Sequence, residues 1–186
     1  MSATTRVTDV TSDRLQRLWA PYRMAYVRGE EADSGVLPDD GCPFCRIAAG
    51  GQQSELVVHR GETAFVVLNL YPYNPGHLMV VPDRHVADYT ELTADETVEV
   101  ATLTQRALAV TRAVSQPQGF NVGLNLGNVS GGSLAQHLHQ HVVPRWAGDA
   151  NFMTVLGQTK ILPQLLEDTR DLLAEAWDSA PVSKEA

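Results

Sequence analysis

Aromatic side chains are scarce in this 186-residue chain, at 6%, and cysteines number only two. Two cysteines cannot build the disulfide framework of a small secreted domain. No apolar run approaches the roughly 20 residues of a membrane span. The opening MSATTRVTDVTSDR lacks the order of a secretory signal. These absences predict a cytoplasmic protein with no membrane partner. Basic residues are in deficit too: 14 Lys and Arg against 22 Asp and Glu give a formal net charge of −8. That balance excludes a general binder of nucleic-acid polymers, which needs cations to displace counterions. The apolar fraction of 44% excludes a disordered chain. The length suits one domain that buries roughly 70% of its unfolded surface.

A further absence is local. Residues 101–148, 48 in all, carry Arg106, Arg112 and Arg145 and not one carboxylate. Three of the six histidines, His137, His139 and His141, fall inside this stretch. Such a segment suits an anionic ligand. A buried strand pair that excludes carboxylates for packing reasons has the same composition.

Hydrophobic spacing organises the rest. Leu15, Leu18, Trp19, Tyr22 and Tyr26 recur at helical intervals, with Pro21 as a kink, and GEEADSGVLPDDG at 29–41 is a linker. Short strands are predicted at 55–59, 63–68, 77–81, 120–126 and 138–143. Thr93 and Glu96 form a capping box that opens a helix to about Val114. Val100, Leu103, Ala107, Val110 and Val114 are its apolar face. A last helix is predicted over 162–177, with Pro163 in its first turn. Strands joined by short links imply an α+β fold with an antiparallel sheet and a long helix packed on it, flanked by N-terminal and C-terminal helical extensions. The divisions are 1–41 for the N-terminal extension, 42–152 for the core domain and 153–186 for the C-terminal extension.

The densest chemistry lies in Gln136-His137-Leu138-His139-Gln140-His141-Val142-Val143-Pro144. On a strand the three histidines share one face and Gln140 points to the other. Buried imidazoles need partners, a metal or a ligand. The outer pair on an extended strand would be roughly 13 Å apart, too far to ligate one ion. A row of imidazoles along a phosphate chain fits better. Just upstream, Asn125 to Ser133 gathers glycines, asparagines and serines, a composition that lets backbone N–H groups approach an anion. Cys42 and Cys45 have zinc-type spacing but supply only two ligands; two reduced thiols are the alternative.

With these residues in order, the chain resembles the histidine triad (HIT) superfamily of nucleotide hydrolases and transferases. The resemblance rests on His137-Leu138-His139-Gln140-His141-Val142-Val143, on Asn69, on Pro75-Gly76-His77-Leu78-Met79-Val80-Val81-Pro82, and on Cys42-Pro43-Phe44-Cys45-Arg46-Ile47, which looks like an entry strand or turn. It covers about residues 42–146. Gln140 departs from the usual alternation of histidine with apolar residues. Leu18 to Arg23 and Pro144 to Phe152 resemble the branch that contains actinobacterial diadenosine tetraphosphate phosphorylases.

The resemblance implies that His139 attacks the α-phosphorus of a nucleotide and becomes adenylylated. It implies that His141 bonds the phosphates and the leaving group. Asn125, Gly132 and Ser133 would bind non-transferred oxygens, Asn69 the ribose, and Phe44, Ile47, Leu68 and Leu70 would border the base or belong to the core. Cys42, Cys45, His85 and His137 would hold a structural zinc. No organic cofactor is implied, and Mg²⁺ would accompany the polyphosphate. The branch implies phosphorolysis of diadenosine tetraphosphate to ADP and ATP. Ser133, standing where many hydrolytic members have glutamine, leaves room for inorganic phosphate. A hydrolase of dinucleoside polyphosphates or phosphoramidates is the second reading, and a catalytically weak nucleotide sensor the third. A homodimer or larger homo-oligomer is implied, with the sheet continuing across the interface. His59 is expected exposed near a strand end. His77 is expected to be structural, within reach of the pocket.

Overall fold

The computed structural model describes residues 41–50, 54–130, 134–149 and 162–181. The expected N-terminal helix and linker, Gly132, Ser133 and the stretch 150–161 lie outside the described residues.

Five antiparallel strands form one sheet in the order β1-β2-β3-β5-β4. They are β1 (Val57–Arg60), β2 (Ala64–Leu68), β3 (Leu78–Pro82), β4 (Gly119–Leu124) and β5 (Gln140–Arg145). Every residue of β2 and β3 is buried, which explains why both are near-continuous apolar runs rather than alternating ones. The long helix α2 (Ala94–Ser115) packs on β2, β3 and β5. This is the α+β arrangement of the sequence reading.

Helix α2 starts where its capping box is spaced to start it. The Thr93 hydroxyl accepts from the Glu96 N–H, and the Glu96 carboxylate accepts from the Thr93 N–H. Val100, Leu103, Ala107 and Val110 face the core. Burying such an aliphatic side chain contributes roughly 1.5–3 kcal/mol. The helix stops at Gln116, whose φ of 48° is left-handed. Pro117 follows and disfavours continued helix at the residue before it.

Two expectations at the ends of the core are corrected. Pro43 to Ile47 is neither strand nor turn but part of helix α1 (Pro43–Ala48), with Cys42 as its N-cap. Proline is tolerated in a first turn, and a helix lets both Phe44 and Ile47 reach the core. The last helix, α3, spans Leu166–Glu175 rather than 162–177. Pro163 therefore precedes it, as the bias of a pre-proline residue against helix requires of Leu162. Helix α3 lies against β1 and α2. Just beyond it, Trp177 stacks on His59 with ring centroids 4.8 Å apart, so His59 is half-buried rather than exposed. The Arg106 guanidinium donates to the carbonyls of Trp177 and Ala180.

Candidate active site and metal centre

The three histidines do not share one strand. Strand β5 begins at Gln140, so of the three only His141 lies on it. The ladder ends there: β4 stops at Leu124, opposite Gln140, and β3, although it runs on to Pro82, pairs with β5 no further than Val80. The preceding backbone is held otherwise. Leu138 N–H donates to the Val86 carbonyl, and His137 Nε2 donates to the Pro82 carbonyl at 2.9 Å. The period-two argument is therefore corrected for His137 and His139. It holds for Gln140, which faces helix α2 and donates to the Thr104 hydroxyl at 2.6 Å.

His139 is buried, and its Nδ1 lies 2.8 Å from the His137 carbonyl oxygen. A carbonyl only accepts, so Nδ1 carries the proton and Nε2 keeps its lone pair. Burial pushes the pKa of His139 below the ordinary histidine value, keeping the ring neutral. Its ring meets those of Phe44 and His141, with centroids 5.1 and 4.9 Å away. His141 is held down to about 4, mainly by burial and then by the proximity of His139.

Histidine 77 reaches this centre. It is fully buried, and its Nε2 lies 3.0 Å from His141 Nδ1. The backbone N–H of Tyr73 donates to His77 Nδ1 at 3.0 Å. The Tyr73 ring lies over both imidazoles, with centroids 4.6 Å from His77 and 5.7 Å from His141. The Pro75-Gly76-His77 step was the only sequence signal for this contact. Gly76 takes a φ of 70°, the left-handed turn that aims His77 inward.

The Asn125 carboxamide lies 3.3 Å from His141 Nε2. Asn69 accepts from the Tyr71 N–H and touches His77 Nδ1, shaping the 69–76 loop. Phe44, Ile47 and Leu68 are buried in the core, while Leu70 is exposed. None of the three arginines of the acid-free segment presents an uncommitted cation. Arg106 bonds carbonyls, Arg112 lies over the Phe120 ring, and Arg145 pairs with Asp149.

Beside the histidines stands a second cluster. The ligand atoms of Cys42, Cys45, His85 and His137 lie within 4.8 Å of one another. Cys42 Sγ is 3.3 Å and Cys45 Sγ 3.5 Å from His137 Nδ1, and Cys45 Sγ is 3.2 Å from His85 Nδ1. Tetrahedral zinc with two thiolates and two imidazoles places ligands roughly 3.3–3.8 Å apart. The bond from His137 Nε2 to Pro82 leaves Nδ1 free to ligate, the outer contact that metal-bound histidines usually have. The donor set fits a closed, structural Cys₂His₂ site.

Comparison with known proteins agrees with this geometry. The model of the HIT domain matches residues 50–148. A Mycobacterium tuberculosis protein described as AP-4-A phosphorylase is 54% identical over 173 residues, spanning 91% of this chain and 88% of that protein. A Schizosaccharomyces pombe protein described as an asymmetrical bis(5′-nucleosyl)-tetraphosphatase is 30% identical over 106 residues, 57% of this chain and 56% of that protein. Among solved structures, a zinc-bound histidine triad family protein from Mycobacterium smegmatis superposes with a TM-score of 0.62 at 26% identity. That match covers 74% of this chain and 94% of the other.

Proposed function

The chain belongs to the HIT domain family, and from that premise we propose that it is a nucleotidyltransferase that phosphorolyses diadenosine tetraphosphate to ADP and ATP. The observation that carries the chemistry is the bond from His139 Nδ1–H to the His137 carbonyl, which leaves Nε2 as a neutral nucleophile. The likeness to the M. tuberculosis phosphorylase supports the substrate.

In the first step His139 Nε2 attacks the α-phosphorus, a P–N bond forms, and the P–O bond to the leaving triphosphate breaks. ATP departs. The adduct ring is cationic, and the His137 carbonyl stabilises it by accepting from Nδ1–H. The His141 Nε2–H donates to the leaving oxygen as charge builds there. Asn125, Gly132 and Ser133 bind the non-transferred oxygens, Asn69 the ribose, and Phe44, Ile47, Leu68 and Leu70 wall the base. In the second step an oxygen of inorganic phosphate attacks the same phosphorus, the P–N bond breaks, and ADP leaves. Water as the acceptor would release AMP instead, the hydrolytic reading that the S. pombe relative favours.

Cys42, Cys45, His85 and His137 would hold a zinc ion, whose contribution is to cross-link helix α1, the segment after β3 and the triad. Mg²⁺ is assigned to the polyphosphate. Residues 1–41 and 153–186 flank the catalytic domain at 42–152. A homo-oligomer would extend the sheet through β4, one of its two edge strands. No described helix is long and apolar enough to cross a membrane, and a nucleotide substrate suits the cytoplasm.

The test is one incubation of the protein with diadenosine tetraphosphate and saturating phosphate. ADP and ATP in equal amounts support phosphorolysis. AMP and ATP as the main products despite the phosphate sink it.

A further inference from the structure

A cavity of about 450 Å³ opens at His141, on the side of the sheet away from helix α2. It is lined by Tyr73, Asn121, Gly123, His141, Val143 and Arg145, among others. Its volume falls within the roughly 300–1,000 Å³ typical of small-molecule sites. The proposed reaction gives the wall at His141 a direction. If His141 bonds the leaving oxygen, whatever departs from the α-phosphorus continues past His141 into this space.

Three features define what fits. The cavity has no cation to spare. The Arg145 guanidinium is spent on Asp149 and on the Asn121 side-chain oxygen. The Asp149 carboxylate, held well below the usual carboxylate range by Arg145, cancels its charge. A phosphate placed deep here would meet a neutral pair. The lining also supplies a half-exposed aromatic face, the Tyr73 ring, stacked within 25° of His141. Asn121 and Asn125 add carboxamides that suit the edges of a base or a ribose. A neutral site with one aromatic platform and amide groups suits a nucleoside better than an anion.

The floor is kept open by an absent side chain. Gly123 pairs with His141 across β4 and β5, so a side chain there would project on the face of His141. A Cβ at Gly123 would meet nothing within 4 Å. The glycine is thus not required by backbone crowding, and its φ is not left-handed. What its small size provides is room.

Resting on the phosphorolysis reading above, we propose that this cavity is the subsite for the distal nucleoside of the substrate, and that Gly123 sets the size of leaving group it admits. The departing nucleotide stacks its base on Tyr73, and its phosphates run back past His141 to the scissile bond.

The experiment compares two reactions in the full-length protein carrying Gly123→Val. Valine suits a strand and would fill the floor. Phosphorolysis of diadenosine tetraphosphate expels ATP and needs the distal subsite. Exchange of labelled phosphate into ADP passes through the same adenylylated His139 but expels only phosphate. The expected result is a drop of about tenfold or more in kcat/KM for the tetraphosphate, with the exchange rate within about twofold of wild type. Retained exchange also shows that the variant is folded. Equal losses in both reactions, or an unchanged tetraphosphate reaction, overturn the subsite. Should Gly123→Val not fold, Gly123→Ala is held to the same selective loss, smaller in size. Wild-type protein that performs neither reaction overturns the phosphorolysis reading itself, a result separate from the selectivity of the variant.

Discussion

His77 Nε2 lies 3.0 Å from His141 Nδ1, and this contact sets the proton on the second ring. The Tyr73 N–H can only donate, so His77 Nδ1 accepts and its proton sits on Nε2. His77 then donates to His141 Nδ1. His141, neutral because its pKa is held near 4, must carry its own proton on Nε2, and Asn125, whose Nδ2 lies 3.3 Å away, must turn its carboxamide oxygen to accept it. A backbone amide in the 69–76 loop thereby orients a donor at the cavity mouth. His77→Gln is expected to lower kcat about 10- to 100-fold with KM changed less than about threefold, because the donor matters most as charge develops. Steady-state kinetics on diadenosine tetraphosphate check this, and an unchanged kcat would remove His77 as a positioning residue.

His139→Ala deletes the ring whose Nε2 is left as the acceptor by the bond from Nδ1–H to the His137 carbonyl. Turnover should fall at least about 10³-fold while nucleotide affinity stays within a few fold. Intact-mass measurement on quenched wild-type protein should show an AMP-sized increment that the variant lacks. An adduct that persists in His139→Ala would place the nucleophile elsewhere.

The Cys₂His₂ cluster predicts about one zinc per chain in protein purified without a histidine tag. Cys42→Ser with Cys45→Ser should lose the ion and lower the thermal midpoint, because binding free energy to a folded site adds to folding free energy. Elemental analysis and calorimetry measure both. Metal-free wild-type protein with an unaltered midpoint after chelation would count against the site.

Glu96 accepts a two-pronged pair of bonds from Arg84 and caps α2 through the Thr93 N–H. Arg84 foremost, with the Thr93 contacts, brings its carboxyl from 4.5 to about 2. A carboxylate whose folded pKa is depressed stabilises the fold fully above its unfolded pKa and loses that contribution as pH falls through the folded one. The loss should therefore spread from about pH 4.5 down to about pH 2. Glu96→Gln should cost about 1–2 kcal/mol at pH 7 and much less near pH 2. Urea unfolding at the two pH values decides it, and an equal cost at both would refute the linkage.

The chain by itself determined the features that depend on near neighbours in sequence. The capping box at Thr93 and Glu96, the apolar face of α2, the strand spans to within a few residues and the side of the sheet taken by Gln140 all follow from local spacing and hydrogen-bond geometry. Cys42 with Cys45 was legible as half of a metal site for the same reason. Tertiary structure decided what depends on distant segments. Alternation alone put three histidines on one face. The pairing of β5 with β3 and β4 ends at Gln140 instead, which frees His137 and His139 to turn, one toward cysteines 95 and 92 residues away and the other beside Phe44. His77 joined the centre because β3 runs beside β5, with Met79 opposite His141, a pairing between residues too far apart for any local pattern to encode. The charge followed the same division. The acid-free segment was visible in composition, but only packing showed that its three arginines are committed to carbonyls, a ring and Asp149. What faces the cavity is therefore one neutral imidazole, amides, one aromatic ring and the mutually neutralised pair of Arg145 and Asp149.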